Sequence, residues 1–101
     1  MSPVRAADVS VVLARHGIDP DADAETLRTA LEARGWPVTV EETGIGRTRR
    51  YTAHATRVRN NPRDRSFPII RKTVRTTGPT LQAALAFVLA KALEMEKERE
   101  A

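Results

Sequence analysis

The chain has 101 residues, the usual size of one domain and enough to enclose a single hydrophobic core. It contains no cysteine, which excludes a disulfide framework and a thiolate metal site. The net charge of +4 is unevenly placed: residues 43–80 carry ten basic and one acidic side chain, whereas residues 1–42 carry four basic and eight acidic side chains. The middle of the chain is therefore the candidate for contact with a polyanion.

Two helices are predicted ahead of the basic segment. The first spans residues 3–16, with Ser2 as its cap and Val12 and Leu13 on its inward face. The second spans residues 23–34. Each helix ends at a glycine followed by an apolar residue, the order typical of a Schellman ending: Gly17 with Ile18, and Gly35 with Trp36.

The loop between these helices, "DPDADAE", places acidic side chains at every second position from 19 to 25. A calcium-binding loop would need a glycine and a bidentate carboxylate where this chain has Ala24 and Ala30. Acidic residues at a helix start cap free N–H groups and suit the helix dipole. We therefore interpret the loop as a helix cap.

Three strands are predicted next. Residues 36–42 alternate apolar and polar side chains, and residues 47–59 place Tyr51, Ala53 and Ala55 on one face with Arg50 and His54 on the other. Residues 66–76 form the third strand. The turns are "ETGIGR" and "NNPRDR". Because strands flank "GIG" on both sides, we interpret it as a hairpin turn and not as a phosphate-binding loop.

The final helix begins after Gly78 and Pro79 and follows a 3.6-residue period. Residues 83–90, "AALAFVLA", are apolar on every side, so this helix is expected to pack against other parts of the protein on two sides. The sheet would pack against one side of the helix, and either the N-terminal helices or a second subunit would pack against the other. We expect a homodimer through Phe87 and Leu89, with a solvated tail over residues 94–101. The class is α+β, in the order α-α-β-β-β-α, with a three-stranded antiparallel meander sheet packed against the helices.

Nothing in the sequence indicates catalysis. His16 and His54 are far apart, no metal-binding spacing joins them, and no serine lies in a nucleophile motif. We expect a non-enzymatic protein without a cofactor. Its apolar runs are too short to span a bilayer and its N-terminus lacks an apolar signal core, so the expected compartment is the cytoplasm.

Arginine dominates the basic segment, and its planar guanidinium suits phosphate oxygens and guanine edges. Aromatic side chains are scarce, which favours duplex or backbone contact over base stacking, although Tyr51 remains a candidate for stacking. The alternatives are a solvated sheet face or an acidic partner protein. The candidate nucleic-acid-binding residues are Arg47, Arg49, Arg50, His54, Arg57, Arg59, Arg63, Arg65, Arg71, Lys72 and Arg75.

Parts of this sequence resemble two known protein families. "GIG" followed by "RVRNNPRDR", within this element order, resembles the HU/IHF histone-like proteins. That resemblance implies an arm tip at Asn61, with Pro62 as an intercalating wedge. It also implies a minor-groove grip by Arg57, Arg59, Arg63 and Arg65.

The second resemblance covers residues 24–94. "LEARGWPVTVEE", "YTAHA" and "TGPTLQAALAFVLAKALE" look like the small α/β sandwich domains of phage and prophage genomes, and the closing helix is similar to that of HicB-like antitoxins. This likeness implies a mobile-element origin without an enzymatic activity. The rival function is then a protein-interaction module, such as a phage-encoded inhibitor of a host nucleic-acid-handling complex.

Overall fold

The computed structural model describes residues 8–60 and 69–100, with side chains described for residues 8–57 and 72–96. The predicted order of elements and the α+β class are confirmed. The turn predicted at "NNPRDR", the tip residues Asn61 and Pro62, and the Ser2 cap lie outside the described residues. The elements are α1 (Val9–Arg15), α2 (Ala24–Ala33), β1 (Val38–Thr43), β2 (Arg50–Asn60), β3 (Ile69–Gly78) and α3 (Leu81–Glu100).

Both N-terminal helices end as predicted. After α1, the Ile18 N–H donates to the Leu13 carbonyl at 2.9 Å, and after α2 the Trp36 N–H donates to the Leu31 carbonyl at 2.9 Å. The glycine inside each ending has a positive φ, 75° and 83°, which costs glycine little. These endings turn the apolar residue that follows back onto its own helix. Trp36 is thereby placed in the core, with 2% exposure.

The acidic loop caps α2, also as predicted. The Asp23 carboxylate accepts a hydrogen bond from the Thr26 backbone N–H at 2.8 Å. Hydrogen bonding from Thr26, from its side chain first and its backbone second, holds the pKa of Asp23 below its usual value. Nearer the loop start, the Asp19 carboxylate accepts from the Asp21 N–H at 2.9 Å. These two carboxylates are thus hydrogen-bonded to the backbone of their own loop.

The sheet has the strand order β1-β2-β3 with both pairs antiparallel. One set of alternating positions is buried against the helices: Val38 on β1, Ala53 and Ala55 on β2, and Val74 on β3. The helices pack on this side, because α3 contacts β2 and β3 while α2 contacts β1 and α3. The side chains of the other set point away from the core, and we call that side the open face.

Helix α3 is covered on two sides by its own chain. The sheet contacts one side, and α1 and α2 contact the other. Val88 and Leu89 have 0% exposure within the single chain. No second subunit is therefore required to cover this helix, and the homodimer stays a prediction. The expected solvated tail is wrong for residues 94–96, since α3 continues to Glu100 and the Glu96 side chain is only 18% exposed.

Candidate nucleic-acid interface

Strand alternation divides the candidate arginines between the two sides of the sheet. Arg50 and His54 on β2 lie on the open face, and His54 pairs in register with Arg75 on β3. Arg57 and Lys72 pair with each other on the opposite side. In the backbone register, Arg59 is opposite Ile70 and Arg71 is opposite Val58. Arg63 and Arg65 lie outside the described residues.

Threonines fill the open face between the cations. Thr52 and Thr77 hydrogen-bond across the β2–β3 pair at 3.2 Å, and Thr56 and Thr73 approach at 3.4 Å. Thr52 is only 6% exposed, so the hydroxyls of Thr56, Thr73 and Thr77 are the ones that can donate to an anion. Over the described side chains, the open face consists of Thr39, Glu41, Thr43, Arg50, Thr52, His54, Thr56, Thr73, Arg75 and Thr77.

His54 occupies the middle of this face. Its neighbours in register are Thr39 on β1 and Arg75 on β3. Its Nε2 lies 4.0 Å from the Glu41 carboxylate and is buried without a hydrogen-bond partner among the described residues. Because this nitrogen has almost no exposed surface, it can reach a ligand only if the side chains around it move.

Arg57 is used inside the fold. Its guanidinium approaches the Glu96 carboxylate on α3 at 3.2 Å and lies 5.9 Å from the centre of the Trp36 ring. The same carboxylate accepts from the Trp36 indole N–H at 2.9 Å and pairs with Arg34 at 3.4 Å. Arg57 thus joins β2 to the end of α3. Alternation along β2 places Arg57 on the core side, but its partner is 39 residues away and could not be predicted from local pattern. Arg57 is therefore not part of the proposed interface.

The other candidate arginines and Lys72 differ in whether their side chains form an ion pair with a carboxylate. Arg49 pairs with Glu42 at 2.7 Å. Four others have no carboxylate oxygen within 4.0 Å among the described side chains: Arg47, Arg50, Lys72 and Arg75. Two of these four, Arg50 and Arg75, belong to the open face, and Arg47 lies in the connection that leads into β2.

That connection from β1 to β2 is held by its own hydrogen bonds. The Thr48 hydroxyl donates to the Ile45 carbonyl at 2.8 Å and accepts from the Ile45 N–H at 3.2 Å. Gly44 has φ +86°, and a Cβ there would lie 2.3 Å from the Thr48 carbonyl oxygen. Ile45 is 87% exposed. Sequence reasoning treated this segment only as a turn and missed its exposed apolar residue.

The two residues expected at a subunit contact occupy different environments. Leu89 is fully buried among the core residues of one chain. Phe87 is half-buried, with the Lys91 ammonium 5.2 Å from its ring centre. It lines a groove of about 290 Å³ bordered by α1 and the start of α3. Leu89 makes its contacts inside the protomer, so Phe87 alone is accessible.

Among the described side chains, no aromatic residue supplies a stacking surface on the open face. Tyr51 packs against the core from the opposite side of the sheet, and Trp36 is buried. In the part of the chain that the structure describes, no cluster of three His, Asp or Glu residues could hold a metal ion. None of the helices found there is long and apolar enough to cross a membrane.

Comparison of the chain with protein-family models, with curated proteins and with solved structures gave no match. The HU/IHF-like and phage-like resemblances of the sequence therefore remain predictions.

Proposed function

We propose that this protein binds nucleic acid without catalysis, through the open face of its sheet. The observation that carries the proposal is the distribution of unpaired cations. Arg50 and Arg75 lie on the one side of the sheet that none of the described helices covers, and among the described side chains neither has a carboxylate within 4.0 Å. Arginine and hydroxyl side chains are among the groups that contact phosphates in protein–DNA complexes.

The chemistry of this face favours backbone contact over base reading. Its uncharged members are threonines, and the described aromatic side chains near the sheet belong to the core side. A face of arginine, histidine and threonine binds phosphates and sugars, whereas single-strand readers stack bases on exposed rings. We therefore expect a duplex ligand with weak sequence preference, and an affinity that falls with salt.

One acid restrains the positive charge of the open face. Glu41 is 4.0 Å from His54, in the middle of the surface that a phosphate would approach. Glu41→Gln should therefore strengthen binding to duplex, most of all at low salt, because the variant keeps the shape and removes a repulsive charge that salt would screen. A variant that binds no better would place the phosphates away from the centre of this face.

The main test compares two double variants that remove the same charge. Arg50→Ala with Arg75→Ala removes two open-face cations, and Arg15→Ala with Arg28→Ala removes two cations of the helical side. Binding is followed by fluorescence anisotropy of a labelled duplex across a salt series. We expect the first variant to lose affinity and to lower the log–log salt slope by about 1.8, since each phosphate contact contributes about 0.9. The second should bind like the wild type.

Equal losses in both variants would show that net charge alone governs binding, and the open face would then have no special role. If the wild type binds neither DNA nor RNA at low salt, nucleic-acid binding is wrong. The rival function, recognition of an acidic protein surface, would then be tested by pull-down with the same pair of variants.

A further inference from the structure

The connection between β1 and β2 displays an isoleucine to solvent. Ile45 is 87% exposed, compared with 57% for Val11 and 37% for Leu81, the other exposed large apolar residues among those described. An isolated exposed apolar side chain is common. Ile45 differs from Val11 and Leu81 in two respects, which are the construction of its loop and the charge around it.

The loop fixes the position of Ile45. The Thr48 hydroxyl bonds to both backbone groups of Ile45. The Thr48 N–H also donates to the Ile45 carbonyl at 3.1 Å, and the Arg49 N–H donates to the Gly46 carbonyl at 3.2 Å. The close approach of Gly44 to the Thr48 carbonyl admits no larger residue. These bonds fix the backbone that carries Ile45 before a partner arrives, which lowers the entropic cost of binding.

The charge around Ile45 indicates its partner. Arg47 follows it by two residues and Arg50 begins β2. Both are exposed, and neither has a carboxylate partner among the described side chains. An exposed apolar side chain flanked by arginines that lack a carboxylate partner complements a ligand with negative charges on its outer surface and an apolar interior. Stacked base pairs between two phosphate backbones are such a surface, and isoleucine is among the side chains that insert between base steps.

We propose that Ile45 is a wedge that enters a base step of duplex DNA, while Arg47 and Arg50 hold the phosphates on either side. This inference rests on the proposed function and adds a mode of binding to it. Insertion must unstack the step, and unstacking costs least where the duplex is already mismatched. The protein should therefore bind a duplex with one central mismatch on the order of tenfold more tightly than the matched duplex.

The experiment measures that preference for the wild type, Ile45→Ala, Ile45→Leu and Val11→Ala. Ile45→Ala should bind both duplexes with similar affinity, while its salt slope stays unchanged because no charge has been removed. Ile45→Leu keeps an apolar wedge and should retain the preference. Val11→Ala removes an exposed apolar residue elsewhere on the surface and should bind like the wild type. Fluorescence transfer between labelled duplex ends should report bending with the wild type and not with Ile45→Ala.

Each outcome separates this inference from the proposed function. A wild type that binds both duplexes equally, or an Ile45→Ala variant that keeps the preference, overturns the wedge and leaves phosphate binding intact. A wild type that binds no duplex overturns the wedge, and it overturns the proposed function as well if single strands and RNA also fail to bind. If Ile45→Ala instead abolishes binding to vesicles of anionic phospholipid while its preference for the mismatch persists, the isoleucine serves a lipid surface and the wedge is wrong.

Discussion

The carboxylate of Glu96 holds three parts of the molecule together, and its removal should be measurable. It accepts from the Trp36 indole N–H at 2.9 Å and pairs with Arg57 at 3.2 Å and with Arg34 at 3.4 Å. Truncation to alanine would leave the buried Trp36 without its acceptor. It would also leave the arginine of β2 without its counter-charge.

The size of the effect follows from the exposure of each partner. The Glu96 side chain is 18% exposed and that of Arg57 is 26% exposed, whereas that of Arg34 is 39% exposed. The indole bond to a charged acceptor is worth about 1.5–3 kcal/mol, and each partly exposed ion pair adds at most about 1 kcal/mol. We expect Glu96→Ala to lower the free energy of unfolding by about 3 kcal/mol. Glu96→Gln, which keeps an acceptor for the indole, should cost about 1 kcal/mol.

Urea unfolding provides the assay, because Trp36 is the only tryptophan and its fluorescence reports on this contact. The midpoint should fall without a change in the slope with urea. Glu32→Ala is the matched control, since it removes a carboxylate from an exposed pair with Arg28 and should cost less than about 0.5 kcal/mol. If Glu96→Ala costs no more than this control, solvent screens the Glu96 contacts and the reasoning fails.

Three further predictions concern the turn, the core and a helix cap. Gly44→Ala should destabilise the fold by about 2 kcal/mol, because φ is +86° and the added methyl would meet the Thr48 carbonyl oxygen at 2.3 Å; its melting temperature tests this close approach. Leu89→Ala should cost about 2–5 kcal/mol in urea unfolding without changing the mass measured by light scattering. Asp23→Ala should destabilise α2 at neutral pH. The deficit should shrink as the pH falls through the lowered pKa of Asp23, because only the ionised carboxylate makes the full cap bond. A deficit independent of pH would contradict that cap.

Local features made most of the fold predictable. The glycine and apolar residue after each N-terminal helix specify a backbone turn and two hydrogen bonds within six residues, and the structure confirms both. The alternation of Tyr51, Ala53 and Ala55 with polar neighbours also depends only on adjacent residues, and it gave the two faces of β2 correctly.

Features that depend on distant residues could not be predicted. Alternation along β2 already places Arg57 on the side of Ala53 and Ala55, but its ion pair with Glu96 on α3 could not be predicted from neighbouring residues. The solvated tail predicted from residue 94 was wrong at Glu96 for the same reason, since the burial of that side chain depends on its contacts with Trp36 and Arg57. The position of Ile45 depends on the hydrogen bonds of Thr48, and hydrophobic periodicity carries no information about such a loop.

The alternation along β2 also shapes how this protein can change over evolutionary time. Ala53 and Ala55 are fully buried opposite a helix that itself presents Ala84 and other alanines to the core, and small residues on both sides let the two elements approach closely. The side chains of Arg50 and His54 lie on the opposite face of β2 from those alanines. They therefore contribute little to the packing between β2 and α3. Descendants of this sequence can therefore exchange the charges of one face for a new ligand while the scaffold stays fixed. Among them, Ala53, Ala55 and the buried Thr52 should vary slowly, whereas the exposed Arg50 should vary quickly.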